Sequence, residues 1–254
     1  MELSQRRTLL LGRLRTRKTR LREGLVSVEG VRAVTEALDA AAVLSFSVLS
    51  PRLSGTDAGA ALAVRLRHFD ATEVLDRALD ELSDTDHAQG VISVFQEPVH
   101  TLAEIPSAGR ILILDAIQDP GNVGTLVRSA VAFGLDAVLS LDGTVDPWGS
   151  KAVRASAGMM FRLPIVPCRA GEVVDALSRL GIPILVAAAH AEALVVDRPA
   201  AFGLVVGNEG AGVRDELRAS GGAVVSVRMS GPAESLNVGI AGSILMHELA
   251  QGDR

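Results

Sequence analysis

The chain has 254 residues, of which 48% are hydrophobic and 22% are charged, and its formal net charge is −5. This length favours two compact units of roughly 100 to 150 residues each, and so much apolar material excludes a disordered or low-complexity protein. Apolar runs are too short for a membrane span, and the single cysteine, Cys168, excludes an internal disulfide framework. We therefore expect a soluble protein of the cytoplasm.

Basic residues crowd the first two dozen positions, namely Arg6, Arg7, Arg13, Arg15, Arg17, Lys18, Arg20 and Arg22. We predict that residues 1–22 form a helix or a mobile arm. An arginine-rich, lysine-poor chain is also typical of a GC-rich genome. The clustering nevertheless favours a nucleic-acid-binding segment, because the planar guanidinium matches phosphate geometry.

Residues 25–97 predict a small α/β domain. A helix is expected over residues 31–42 and another in ATEVLDRALDELSD, and the expected strands are VLSFSVLS, RLRHFD and GVISVFQE. The first domain is therefore predicted over residues 1–97. Residues 98–109 contain Pro98, Pro106 and Gly109 and are interpreted as a linker.

From residue 110 the chain alternates between strands that are apolar throughout and helices. The predicted strands are RILILDA, LDAVLSL, FRLPIVP, IPILVAA, FGLVVG and AVVSVRM. Helices are predicted at residues 122–133, through Trp148 to Ser156, and in EVVDALSRL, VRDELRA and LNVGIAGSILMHEL. This alternation is typical of a mostly parallel sheet with helices on both faces, so residues 110–254 predict an α/β domain.

Ligands bind such sheets beyond the carboxyl ends of the strands, and the first such loop here is DAIQDPGNVGTLVRSA. Asn122 can cap the following helix, and Arg128 lies less than two turns into it. Helix capping and a surface ion pair remain the ordinary alternatives for these two residues. Asp115 and Asp119 bracket the loop and are interpreted as turn-forming residues.

Two further loops have the same glycine-rich, polar character. In VVGNEGAGV, glycines allow the backbone to approach a ligand closely, and the Glu209 carboxylate disfavours phosphate. In GPAESLNVG, capping explains Ser235 more readily than Asn237. The three loops predict a site without a metal, because no spacing suggests a metal pair among His68, His87, His100, His190 and His247.

Three blocks, DPGNVGTLVRSAVAFG, VVGNEGAGV and ESLNVGIAGSILMHEL, resemble in order the motifs of the SpoU/TrmH-type RNA ribose 2'-O-methyltransferases of the SPOUT superfamily. RLRTRKTRLREGLVSVEGVRAV and HAQGVISV resemble the small substrate-binding domain that precedes the catalytic domain in many of these enzymes. The resemblance implies S-adenosyl-L-methionine as methyl donor, a deep C-terminal trefoil knot and a homodimer.

Carried over by motif, the resemblance implies catalytic or positioning roles for Asn122, Arg128, Glu209, Ser235 and Asn237. It implies cofactor binding by Gly207, Asn208, Gly210, Val227, Met229 and Leu236. Val227-Arg228-Met229 replaces the usual Ile-Pro-Met. We expect Arg128 to activate the ribose hydroxyl electrostatically, because a guanidinium is a poor general base, and the proton acceptor stays open. Glu209 would orient Arg128 or Asn122.

Ribosomal RNA is the favoured substrate, because a separate N-terminal domain with an RKTR entry resembles the ribosomal RNA enzymes. A transfer RNA 2'-O-methyltransferase and a non-catalytic RNA-binding relative are the alternatives. A nicotinamide-dependent oxidoreductase is disfavoured, since NVGTLV after the first strand lacks the dinucleotide fingerprint.

Overall fold

The computed structural model describes residues 3–189, 199–220 and 222–251. They pack as two compact units. The first comprises the described residues up to Pro98 together with Trp148–Arg162, and the second comprises Val99–Pro147 and the described residues from Leu163 onward. The first unit is therefore not contiguous in sequence, whereas the predicted domains, residues 1–97 and 110–254, are. None of the described helices is long and apolar enough to cross a membrane.

Up to residue 98 the elements are α1 (Gln5–Leu14), α2 (Arg17–Glu23), β1 (Leu25–Glu29), α3 (Val31–Asp39), β2 (Leu44–Leu49), α4 (Asp57–Leu66), β3 (Ala71–Glu73), α5 (Asp76–Leu82) and β4 (Val91–Gln96). The strands form one sheet in the order β1-β4-β2-β3. β4 pairs antiparallel with both of its neighbours, and β3 runs parallel to β2.

The predicted strand RLRHFD is wrong. α4 continues through Leu66, because Thr56 caps its first turn by accepting from the Gly59 amide at 3.1 Å and because Leu62 and Leu66 are buried on one helix face. The strand begins later, at Ala71, within a segment predicted as helix. The helix of that segment, α5, covers only Asp76–Leu82.

The basic N-terminal segment folds as the two helices α1 and α2, and Leu11 and Leu14 bury the apolar face of α1. Half of its cations contact other groups of the first unit. The contacts are Arg7 with Asp70, Arg15 with Asp84, Arg22 with Glu23, and the buried Arg20 with the Leu14 carbonyl at 2.8 Å. The helix interpretation is therefore confirmed, and the exposed cations that make no such contact are Arg6, Arg13, Arg17 and Lys18.

Residues 148–162 supply part of the core of the first unit. The Phe161 ring lies 5.5 Å from Phe95 and 5.1 Å from Trp148. Gly158 has a φ of +86°, and a Cβ there would lie 2.6 Å from the Ala33 carbonyl oxygen. This segment is therefore fitted closely against the rest of its unit.

From residue 99 the elements are β5 (Arg110–Asp115), α6 (Pro120–Ala132), β6 (Ala137–Leu141), α7 (Ser150–Ala155, in the first unit), β7 (Ile165–Cys168), α8 (Ala170–Leu180), β8 (Ile184–Ala187), β9 (Phe202–Gly207), α9 (Asp215–Ala219), β10 (Ala223–Val225) and α10 (Val238–Ala250). The sheet order is β10-β8-β9-β5-β6-β7, and every pairing is parallel. The parallel α/β architecture predicted from the apolar strands is confirmed.

Helices cover both faces of this sheet. α8 and α9 pack on one face, where Val173, Leu177 and Leu217 join strand residues such as Ile113 in one core cluster. α10 packs beside α6 on the opposite face, where a Cβ on Gly242 would lie 3.3 Å from Val206. β10 is shorter than predicted, because the chain leaves the sheet after Val225.

Candidate functional site

The two central strands of the parallel sheet end side by side, with Asp115 of β5 opposite Gly207 of β9. The loops that follow them are joined by a hydrogen bond of 3.0 Å from Asn208 Nδ2 to the Ala116 carbonyl oxygen. Ala116 has a φ of +57°. The register of the sheet therefore brings the first two sequence motifs to one point on its edge.

Asn208 shapes the loop of the second motif. Its side-chain oxygen accepts from the Gly210 and Ala211 amides at 2.9 Å each, and its backbone exchanges hydrogen bonds with Gly212. The polar atoms of its side chain are thus engaged within the protein. This arrangement places Glu209 at the exposed tip of the loop.

The closeness of this turn predicts a large difference between two glycines. A Cβ on Gly207 would lie 2.5 Å from backbone atoms of Gly212 and Val213, whereas a Cβ on Gly210 would meet only the Asn208 Oδ1 at 3.6 Å. Gly207→Ala should lower the free energy of unfolding by about 1–3 kcal/mol, since backbone must move. Gly210→Ala is the matched control and should change it by less than about 0.5 kcal/mol. Thermal unfolding of the two variants measures the difference, and equal midpoints would contradict the close approach at residue 207.

An ion pair anchors the end of the same loop. The Asp115 carboxylate, with 2% of its side chain exposed, accepts from the Arg214 backbone amide at 2.7 Å and from its Nε at 2.6 Å. The same guanidinium donates to the Asp142 carbonyl at 2.8 Å. Arg214 therefore ties the loop after β9 to the ends of β5 and β6, and Asp115 is an anchor rather than only a turn residue.

The residue that caps α6 differs from the prediction, since Asp119 and not Asn122 is the cap. Asp119 caps α6 by accepting from the Asn122 amide at 2.8 Å, so the Asn122 side chain is free of that role. Its Nδ2 instead donates to Glu209 Oε1 at 2.8 Å. Of the two partners proposed for Glu209, the structure thus joins it to Asn122.

In the third motif the cap was expected at Ser235, but the structure places it at Asn237. Asn237 caps α10 by accepting from the Gly239 and Ile240 amides at 2.9 and 3.3 Å. Ser235 is exposed and makes no hydrogen bond with the residues that the structure describes. A Cβ on Gly239 would lie 3.3 Å from Asn122 Oδ1. The first and third motifs therefore meet as well.

A cavity of about 580 Å³ opens where the second and third motifs meet the ends of the strands. Its lining includes nine of the eleven predicted site residues, namely Gly207, Asn208, Glu209, Gly210, Val227, Met229, Ser235, Leu236 and Asn237. Val227 and Met229 reach it from the irregular chain beyond β10. Asn122 is outside the lining and is linked to it through Glu209.

The residues of the cavity suit a nucleoside with a cationic sulfur. Its volume lies in the usual range for small-ligand sites, roughly 300–1,000 Å³. Val206, Met229 and Leu245 supply apolar wall, and the glycine loop exposes backbone groups. Glu209 supplies the negative charge that complements a sulfonium. Arg218 also lines the cavity, and sequence reasoning missed it because nothing in the spacing of VRDELRA sets it apart.

Arg128 lies on α6 six residues beyond Asn122, about 9 Å further along the helix axis. Its side chain is exposed and has no hydrogen bond or ion pair with any described residue. It does not line the cavity. A guanidinium with no such partner among the described residues is available to a ligand that approaches from solvent.

The single thiol, Cys168 at the end of β7, is part of neither the cavity nor the three motifs. Burial, followed by the nearby Glu172 and Asp142 carboxylates, raises its pKa to about 12. At pH 8 only roughly one molecule in ten thousand would carry the thiolate. We expect iodoacetamide to label the native protein more than about a hundredfold more slowly than the protein in denaturant, as measured by mass spectrometry. Rapid native labelling would contradict this burial.

In the described ranges no three His, Cys, Asp or Glu side chains are grouped as a metal site. His68, His87, His100 and His247 are dispersed, and His100 contacts Glu104 at 2.7 Å. His190 lies outside the described residues.

Comparisons with known proteins support the assignment of the three motifs. The sequence profile of the SpoU rRNA Methylase family matches residues 109–247, and that of the MRM3-like substrate binding domain matches residues 10–93. The 23S rRNA (guanosine(2553)-2'-O)-methyltransferase RlmP of Bacillus subtilis is 33% identical over 239 residues, which cover 93% of each chain.

Solved structures agree over nearly the whole chain. The SpoU methyltransferase AviRb of Streptomyces viridochromogenes in complex with AdoMet has a TM-score of 0.84 and 26% identity, covering 96% of this chain and 97% of that one. The AdoMet-bound rRNA methyltransferase of Sinorhizobium meliloti has a TM-score of 0.84 and 26% identity, covering 98% and 95%. The resemblance read from the three motifs is thereby confirmed, and this chain belongs to the SpoU rRNA methylase family.

Proposed function

We propose that this protein transfers the methyl group of S-adenosylmethionine to a ribose 2'-hydroxyl of ribosomal RNA. The observation that carries the proposal is the cavity built by the second and third motifs and joined to the first through the Asn122–Glu209 hydrogen bond. The Bacillus subtilis relative, named as a 23S rRNA 2'-O-methyltransferase, supports ribosomal RNA as the substrate.

When bound in the cavity, S-adenosylmethionine supplies an electrophilic methyl group on a positively charged sulfur. Transfer forms a bond between the ribose 2'-oxygen and the methyl carbon, breaks the sulfur–methyl bond and releases the hydroxyl proton. Glu209 complements the positive charge in the cavity. Its hydrogen bond from Asn122 fixes the orientation of that carboxylate.

Arg128 acts on the RNA side of the reaction. Its exposed guanidinium binds the 2'-hydroxyl or the neighbouring phosphate and stabilises negative charge that develops on the 2'-oxygen. A guanidinium is a poor general base, so the contribution of Arg128 is electrostatic. Ser235, with its hydroxyl exposed beside the cavity, positions the ribose, while Asn237 fixes the start of α10.

The first domain, residues 1–97, holds the RNA. Arg6, Arg13, Arg17 and Lys18 are its exposed N-terminal cations, and the match to a substrate-binding domain supports this role. Phosphate contacts by these residues would make binding fall steeply as salt rises. Within this proposal residues 98–109 are the linker and residues 110–254 carry the methyltransferase domain, apart from Trp148–Arg162, which pack in the first unit.

We also propose a homodimer with a C-terminal trefoil knot and a cytoplasmic location, which suits a protein whose Bacillus subtilis relative is named as a 23S rRNA methyltransferase. Ile240, 52% exposed at the start of α10, offers apolar surface for a second copy. Light scattering coupled to gel filtration measures the mass. A monomer at micromolar concentration would remove the dimer from this proposal.

Methyl transfer to RNA tests the reaction. The protein is incubated with labelled S-adenosylmethionine and unmodified bacterial RNA, separated into ribosomal and transfer fractions and digested to nucleosides. A labelled 2'-O-methylnucleoside from the ribosomal fraction is the expected result. Label in transfer RNA alone would move the proposal to that substrate. No transfer to either fraction with cofactor binding intact would mean that the target needs an assembled particle or partner, and no cofactor binding at all would favour a non-catalytic RNA-binding relative.

A further inference from the structure

Phe69 stands apart from the other aromatic residues of the chain. The sequence has six phenylalanines, one tryptophan and no tyrosine. All seven aromatic residues are described, and only Phe69 is classed as exposed, with 51% of its surface open to solvent. A single exposed apolar side chain is ordinary by itself, so the surroundings of the ring decide its meaning.

The two residues before Phe69 in the sequence are basic and exposed. Arg67 ends α4, His68 follows it, and both side chains are exposed without a hydrogen bond or ion pair to any described residue. The carboxylate next in sequence, Asp70, is neutralised by its ion pair with Arg7. The immediate sequence neighbours of Phe69 therefore leave an excess of positive charge beside it.

A second segment, the first turn of α1, contacts the chain that follows Phe69. Besides its ion pair with Asp70, Arg7 donates to Thr72 Oγ1 at 3.4 Å. These contacts hold the first turn of α1 against the chain that follows Phe69. Arg6 lies in this turn and is exposed and unpaired among the described residues.

An exposed aromatic face beside cations is the combination that binds unpaired nucleotides. Bases stack on the ring, while arginine contacts the adjoining phosphates. A paired base in a duplex has both faces covered by its neighbours and cannot stack in this way. The positive surroundings favour RNA over an apolar protein partner, which would gain nothing from Arg6 and Arg67.

We propose that Phe69 stacks on an unpaired base of the RNA substrate, with Arg67 and Arg6 contacting the phosphates on either side. The inference rests on the proposed function, since it names how the substrate is held. It assigns to the turn between α4 and β3 a preference for single-stranded over duplex RNA.

Fluorescence anisotropy with two labelled probes tests this assignment. One probe is a twelve-nucleotide RNA without self-complementarity, and the other is the corresponding duplex. Phe69→Ala should weaken binding of the single strand about tenfold, in keeping with the loss of one stacked base. It should change binding of the duplex less than about twofold. Phe69→Trp should retain the single-strand affinity, because stacking needs an aromatic face and not phenylalanine itself.

The matched control is Leu75→Ala. Leu75 is 77% exposed in the same unit but has no aromatic face on which a base could stack, so its removal should leave both affinities unchanged. Equal weakening of both probes by Phe69→Ala, or an equal loss with Phe69→Trp, would overturn the stacking role. Unchanged thermal unfolding midpoints show that the variants are folded.

Charge removal separates the phosphate contacts from stacking. The double variant Arg6→Gln, Arg67→Gln should reduce the slope of log affinity against log salt by about 1.4, which corresponds to two phosphate contacts on a single strand. Phe69→Ala should leave that slope unchanged. An unchanged slope in the double variant would overturn the assignment of Arg6 and Arg67 as phosphate contacts.

Methylation kinetics keep this inference distinguishable from the function on which it rests. With unmodified ribosomal RNA, Phe69→Ala should raise KM about tenfold at unchanged kcat and unchanged S-adenosylmethionine affinity. Methylation by the unaltered protein together with an unchanged KM in the variant would refute the stacking site alone. Absence of methylation by the unaltered protein would refute the proposed function, and the anisotropy comparison would still decide the stacking site.

Discussion

Replacing Arg128 with alanine is expected to lower kcat by about a hundred- to a thousandfold, the range found when one group that stabilises a developing negative charge is removed. S-adenosylmethionine affinity should stay within about twofold, because Arg128 does not line the cavity and has no hydrogen bond or ion pair with the residues that the structure describes. Single-turnover methylation and calorimetric titration with the cofactor measure the two quantities.

The control for this variant is Arg179→Ala. Arg179 is also an exposed helical arginine of the second unit, on α8, and its Nε contacts only the Asp175 carbonyl of the preceding turn. Arg128→Lys should recover little activity, since an ammonium lacks the planar fork that can hold hydroxyl and phosphate together. Joint loss of cofactor binding and turnover in Arg128→Ala would count against its assignment to the RNA side of the reaction.

The ion pair between Asp115 and Arg214 should give the second large effect. Arg214→Ala leaves a carboxylate that is only 2% exposed without its cation, and stranding a buried charge costs about 3–5 kcal/mol. The thermal midpoint should therefore fall by about 6–20 °C. S-adenosylmethionine affinity should fall too, because Arg214 anchors the loop that carries Glu209.

The reciprocal variant supplies an internal comparison. In Asp115→Asn the guanidinium that loses its charged partner is 30% exposed, reaches water and keeps the Asp142 carbonyl, so the loss should be only about 1–2 kcal/mol. Circular dichroism at a fixed heating rate ranks the two. If Asp115→Asn proves the more damaging, the stability of this site does not depend on partnering a buried carboxylate.

Local sequence pattern predicts the central sheet well. The apolar runs RILILDA and FGLVVG match β5 and β9 to within a residue, because strands buried on both faces admit little else than apolar side chains. The pattern fails at RLRHFD, where alternation suggests a strand but the cap at Thr56 lets a helix run through Leu66. A cap at the start of a helix thus influences the secondary structure of residues ten positions further along the chain.

The sequence predicts which residues form the site but not which of them are joined by hydrogen bonds. The motifs indicate which residues come together, and nine of the eleven line one cavity. They do not indicate that Asp119 and Asn237 are the helix caps, nor that Asn122 is joined to Glu209, since each of these polar residues can cap a helix equally well. The ion pair of Arg214 with Asp115 was not predicted, and Asp115 was interpreted only as a turn residue, because their contact depends on the register of β5 against β9, which sequence spacing does not reveal.

The segment 148–162 has a consequence for synthesis. Phe161 completes an aromatic contact with Phe95, and Arg162 contacts Glu36, so the first unit lacks part of its core until these late residues are available. Domains generally fold in order as they leave the ribosome. Here the amino-terminal unit must wait until about two thirds of the polypeptide has emerged, and a fragment ending at residue 98 would expose the surface that Phe161 covers.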